Sequence, residues 1–107
     1  MVTIELAVGI TLAMVVTVVL VGISLLGVAQ AACAESSAQL ARQAARGDEA
    51  QVSAATERAP SGSSIEWEWG SEGVGVVVSV DRGLPLIGTV TLSADAWAAY
   101  EPGISPP

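Results

Sequence analysis

The stretch Met1–Leu26, MVTIELAVGITLAMVVTVVLVGISLL, constrains this chain more than any other part of it. Its only charged side chain is Glu5, and from Leu6 to Ala34 there is no Asp, Glu, Lys or Arg. A fold of 107 residues has too little interior to bury so long an apolar segment. As a helix, the 24 residues from Leu6 to Ala29 rise ~36 Å, against roughly 30 Å for the hydrocarbon core of a bilayer. The many β-branched residues would favour strand in water. In lipid, however, a single segment must satisfy its own backbone polar groups, and only a helix does so. The segment is therefore expected to be a helix able to cross a membrane.

The remainder of the chain amounts to one small domain at most. Eleven acidic residues face four Arg and no Lys, a formal charge of −7. That balance argues against electrostatic binding of nucleic acid or anionic lipid, and the scattered acids read as a solvated surface rather than a cation site. There is no His, which removes the commonest general base and metal ligand. Cys33 is the only cysteine, so no internal disulfide or cysteine-based zinc site can form. Among its Ala neighbours, just past the apolar run, it is expected to be a small buried packing residue, with an intermolecular disulfide as the alternative.

Three kinds of protein carry such a start: a cleaved signal peptide, a permanent membrane helix and a pilin-type assembly helix. A secretory signal has a basic n-region and a shorter apolar core. Here the n-region holds Glu5 and no base, and Ala29-Gln30-Ala31 meets the small-x-small cleavage rule only within an Ala-rich stretch where the match is cheap. For a membrane helix, Arg42 and Arg46 would hold the C-terminal side in the cytoplasm. They lie 13 or more residues past Ala29, so their influence is weak, and a basic segment upstream of Met1 would reverse it.

Glu5 by itself needs no function: a carboxylate in the first helical turn is favoured by the macrodipole and can sit at the membrane interface. Its neighbours add to this. Met1-Val2-Thr3-Ile4-Glu5-Leu6 resembles the mature N-terminus of type IV pilins and pseudopilins. The resemblance implies that a prepilin peptidase cuts after a Gly to leave Met1 first, with the true start upstream. It also implies that Glu5 pairs with the amine of a neighbouring subunit, with Met1 and Thr3 part of the same assembly end. The physical basis is that a lone carboxylate in hydrocarbon seeks a cation. Gly9, Ala13 and Thr17 recur every four residues and could form a helix-packing face; small residues are also simply common in membrane helices.

Ala29 to Arg46 is strongly helix-forming and unbroken before Gly47. One helix from about Ile4 to Arg46 would be ~64 Å long, with Ala38, Ala41 and Ala45, flanked by Leu40 and Ala44, as its shallow apolar stripe. Asp48 with Gln51 forms a capping pair for a second helix, Glu49 to Arg58 or Ala59, and Pro60-Ser61-Gly62-Ser63 ends helical structure. Beyond it the period becomes two. Ile65, Trp67 and Trp69 alternate with Glu66 and Glu68, and Val74, Val76, Val78 and Val80 form a second alternating set. Gly70–Gly73 reads as the hairpin turn between them. Asp81–Gly88 reads as a loop, with a third strand from about Thr89, and Pro102–Pro107 as a disordered tail. The expected fold is α+β: an assembly helix over 1–46, a turn and short helix over 47–60, and a small three-stranded antiparallel sheet over 61–101.

No phosphate loop, metal constellation or nucleophile–base pair is present, so no enzymatic activity and no cofactor is expected. Glu66 and Glu68, two apart, read as the solvent face of a strand. Trp67 and Trp69 read as cover for a thin core, with a partner or ligand platform as the alternative.

Taken over nearly its full length, the chain resembles the TadE-like minor pilins of tight-adherence pilus systems in high-GC Gram-positive bacteria. The corresponding residues are Val2, Thr3, Glu5, Cys33, Ala45-Arg46-Gly47, Ala96, Tyr100, Glu101 and Pro102. It departs from many of them in having no Pro within the apolar segment. The resemblance implies a non-catalytic subunit anchored in the cytoplasmic membrane, its C-terminal domain outside, reaching the cell surface or pilus on assembly. Its partners would be other pilin subunits, the assembly machinery, a prepilin peptidase and membrane lipid, and not nucleic acid. Two alternatives stay open: a single-pass membrane protein whose external domain binds a partner without polymerising, and a secreted module cleaved near Ala31.

Overall fold

A computed structural model describes residues 1–106. The fold is α+β, with one long helix, one short helix and a three-stranded antiparallel sheet. Helix α1 runs Val2–Ala45 without a break, and no residue inside it is Pro. It stops at Gly47, whose φ of 71° is one that L side chains rarely adopt. There the Gly47 N–H donates to the Ala44 carbonyl at 3.0 Å and the Asp48 N–H to that of Gln43 at 3.2 Å, the paired bonds of a Schellman ending. The Asp48 side chain then accepts from the Gln51 N–H at 3.2 Å and opens α2, Glu49–Arg58, as the capping pair predicts.

The strands are β1 (Ser64–Trp69), β2 (Gly73–Leu84) and β3 (Gly88–Ala99), in spatial order β1-β2-β3. The Asp81–Gly88 loop expected from sequence is mostly ladder. Asp81 pairs with Thr91 and Leu84 with Gly88, so only Pro85-Leu86-Ile87 turns the chain. Gly83, which suggested a loop, sits within the pairing opposite Thr89. Cross-strand partners outweigh its weak strand propensity.

Val74, Val76, Val78 and Val80 form an unbroken buried row on β2, the central strand. Helix α1 lies across β2 and β3 and buries Cys33, Ser37, Leu40, Ala41, Ala44 and Ala45 against them. The expected stripe is thus present at 40, 41, 44 and 45, while Ala38 is half-buried. Ser37 and Cys33 continue the face toward the N-terminus. All but Leu40 are small, and small side chains let the sheet backbone approach the helix closely.

The end of the chain is stitched back to this assembly. The Tyr100 N–H donates to the Glu72 carbonyl and the Glu101 N–H to that of Ala45, each at 3.1 Å, and the Tyr100 hydroxyl donates to the Gly70 carbonyl at 2.9 Å. From Pro102 to Pro106, where a structureless tail was expected, the Ile104 N–H donates to the Glu101 carbonyl at 3.0 Å. The Ile104 side chain covers Gly47. Pro107 lies outside the described residues. The molecule is a rod with extents of 76 × 21 × 18 Å.

Candidate functional site

Two halves of α1 have different surroundings. From Met1 to Val21 no residue is buried, and this bare half carries Val2, Ile4, Leu6, Val8, Ile10, Leu12 and Met14 on its surface. The packed half begins at Gly22. One helix here is long and apolar enough to cross a membrane. Water penalises an uncovered column of that kind, whereas lipid or other apolar helices solvate it.

Met1, Thr3 and Glu5 occupy the first turn at the bare end, where the Glu5 N–H donates to the Met1 carbonyl at 3.2 Å. The only ion pair among the described residues, Arg46 with Glu101 at 3.6 Å, lies at the opposite end of the helix. Glu5 itself makes no ion pair among the described residues. Gly9, Ala13 and Thr17 are exposed. A Cβ placed on Gly9 would meet nothing within 4 Å. The Thr17 hydroxyl donates to the Ala13 carbonyl at 2.8 Å, so it makes no polar demand on a neighbour. Five residues separate Thr17 from Gly22, a rotation of about 140°. Gly9 and Ala13 thus point away from the face that holds the sheet, while Thr17 also lines the cleft between α1 and the β2–β3 hairpin.

Cys33 is a free thiol with 0 % exposure. It sits beyond the apolar run, against the sheet, and burial pushes its pKa up while the Arg82 guanidinium opposes that shift. It is shielded from crosslinking and oxidation. Among the described residues, no group of His, Cys, Asp or Glu is arranged to hold a metal ion.

Trp67 and Trp69 stack, with ring centroids 5.4 Å apart and planes 10° from parallel. Trp67 packs against both parts of the core, and Trp69 remains 44 % exposed. Together they form one wall of a cleft of about 720 Å³ whose other walls include Asp48, Val52, Ile104 and Pro106. Glu66 and Glu68 lie exposed on the opposite face of β1.

Sequence reasoning missed how the hairpin meets the helix: the β2–β3 turn reaches down α1 as far as Gly22, and the Gln30 side-chain amide donates to the Ser93 carbonyl at 2.8 Å. The apolar character of Leu84-Pro85-Leu86-Ile87 was its only trace. Comparison with protein-family models, with curated proteins and with solved structures returns no match.

Proposed function

We propose that this protein is a non-catalytic structural subunit, a minor pilin or pseudopilin of TadE type that takes part in assembling a type IV pilus. The observation that carries the proposal is the division of α1: its first 21 residues are bare, apolar and headed by an unpaired Glu5, and the remainder is the spine of a small domain. Such a helix serves first as an anchor in the cytoplasmic membrane, with the domain outside. On assembly it exchanges lipid contact for contact with other subunits' helices. The exposed row Gly9, Ala13 and Thr17 is where another backbone can approach closely. Glu5 at the first turn pairs with the amine of a neighbouring Met1, and that attraction sets the axial register between subunits.

When expressed behind a Lys/Arg-rich leader ending in Gly, together with a prepilin peptidase, the mature chain is expected to begin at Met1 by N-terminal sequencing. A different first residue would overturn the proposal. Glu5→Ala should leave membrane insertion unchanged and lower incorporation into filaments about tenfold or more, the equivalent of roughly 1.4 kcal/mol. If the wild-type chain stays in the membrane and never enters a filament, the non-polymerising anchor replaces this reading.

A further inference from the structure

The β2–β3 turn carries exposed apolar side chains that subunit assembly does not call on. Leu86 and Ile87 are 80 % and 61 % exposed. The strand end beside them closes on α1: a Cβ on Gly22 would lie 2.7 Å from Leu84 Cδ2 and 3.6 Å from Pro85 Cδ. The turn therefore sits alongside the helix at the height of Gly22. At that height the uncovered faces of α1 are still apolar. Ile23, Leu25 and Val28 are all exposed, and the helix climbs ~9 Å from Gly22 to Val28.

Charge places the turn independently. On α1 no charged residue occurs from Leu6 to Ala34, and on the hairpin none occurs from Gly83 to Ala94. The bond from Gln30 to the Ser93 carbonyl holds these two uncharged segments side by side. Toward this end of the rod the helix is thus free of charge except for Glu5, and the hairpin carries no charge nearer its turn than Asp81 and Arg82, which pair with Thr91 and Val90. Length agrees: from Leu6, just past the interfacial Glu5, ~30 Å of helix, the thickness of a hydrocarbon core, reaches Leu25, within about one turn of the height at which the β2–β3 turn meets α1.

The geometry points to the β2–β3 turn as a second membrane contact, with Leu86 and Ile87 seated in the boundary between acyl chains and headgroups on the side from which the domain projects. This rests on α1 spanning the bilayer and does not require pilus assembly. The boundary, rather than the hydrocarbon interior, is the stable depth because the turn's backbone polar groups need water or headgroups as partners. Pro85 contributes no N–H to that demand. An apolar cleft of about 590 Å³ opens between helix and hairpin at the same level, walled by Val18, Val21, Leu25, Leu84 and Pro85, with Arg82 as its one charged side chain. An acyl chain fits the apolar walls, and the guanidinium suits a phosphate above it. Contact at two points, α1 and the turn, fixes the tilt and rotation of the domain against the membrane.

The test uses the full chain with Cys33→Ala, its fold checked by circular dichroism, and a single cysteine at position 12, 68 or 87 carrying a nitrobenzoxadiazole probe. Each protein is reconstituted in phosphatidylcholine vesicles with a spin label either deep on the acyl chain or close to the headgroup. The Ile87→Cys probe is expected to emit to the blue of the Glu68→Cys probe and to be quenched several-fold more by the shallow label, while the Leu12→Cys probe is quenched by the deep one. If Leu12→Cys is quenched and Ile87→Cys behaves like Glu68→Cys, the turn is not in the membrane and the span stands. If Leu12→Cys is unquenched, the spanning helix fails and this inference fails with it. A blue-shifted Ile87→Cys probe that lipid labels do not quench, and that reddens on dilution of the protein in lipid, would mean that a second copy covers the turn, and would also overturn it.

Discussion

Cys33 lies in one buried cluster with Leu40, Val76, Val78 and Val80. Burial favours the neutral thiol, so its pKa is raised above the ordinary 9.0. A raised pKa in the folded state means that the stabilisation from burying the thiol is fully present below that ordinary value and is lost as pH rises through the folded one. Urea titrations on either side of it should therefore show a decline that a Cys33→Ala chain lacks. Maleimide labelling of the native protein should be slow and become fast only with urea. A second residue under tight constraint is Gly73, where a Cβ would run into the Ala98 carbonyl and the Trp97 indole. A backbone carbonyl cannot swing aside as a side-chain end can, so Gly73→Ala should destabilise by about 1–3 kcal/mol in urea melts. At Gly22 the nearest atom is the end of the Leu84 side chain, and Gly22→Ala should leave the same melts almost unchanged.

Helix α1 was legible as an element from end to end because every signal agreed: an apolar run, a helix-forming Ala-rich extension, no Pro, and Gly47 as the stop. Its buried face was legible over Leu40–Ala45, where apolar spacing marks it, and at Cys33, expected as a small buried packing residue. Ser37 is equally buried, but a serine in a polar-looking stretch gives no such mark. Its hydroxyl is satisfied locally, donating to the Ala34 carbonyl at 2.9 Å, which lets it enter the core without a partner on the sheet. Leu40 is the one large side chain on this face, and Leu40→Ala should cost about 2–5 kcal/mol, enough to unfold a domain this small, as read by thermal melting. The β2–β3 hairpin was underestimated because Gly83, Pro85 and Gly88 all read as breakers. Pro85 and Gly88 do bracket the turn, whereas Gly83 is carried by its neighbours in the ladder.

Viewed whole, the rod divides near Gly22 into a bare column and a packed domain. Every buried residue of the domain lies at or beyond that point, so a chain lacking residues 1–21 should remain folded, soluble and monomeric, with strand and helix signals in circular dichroism and a single peak on gel filtration. Loss of structure in that truncated chain would mean that the apolar column holds the domain together. The amino-acid sequence by itself determined the helical column, its spanning length, the position of Glu5 and the alternation of the strands, because each follows from hydrophobic periodicity and backbone propensity within a short window. Only the tertiary structure decided that Ser37 enters the core, that Ile104 closes over Gly47, and that the β2–β3 turn descends to Gly22. Those arrangements join residues far apart in the chain. They depend on how closely particular side chains let two backbones approach, a quantity that no local pattern encodes.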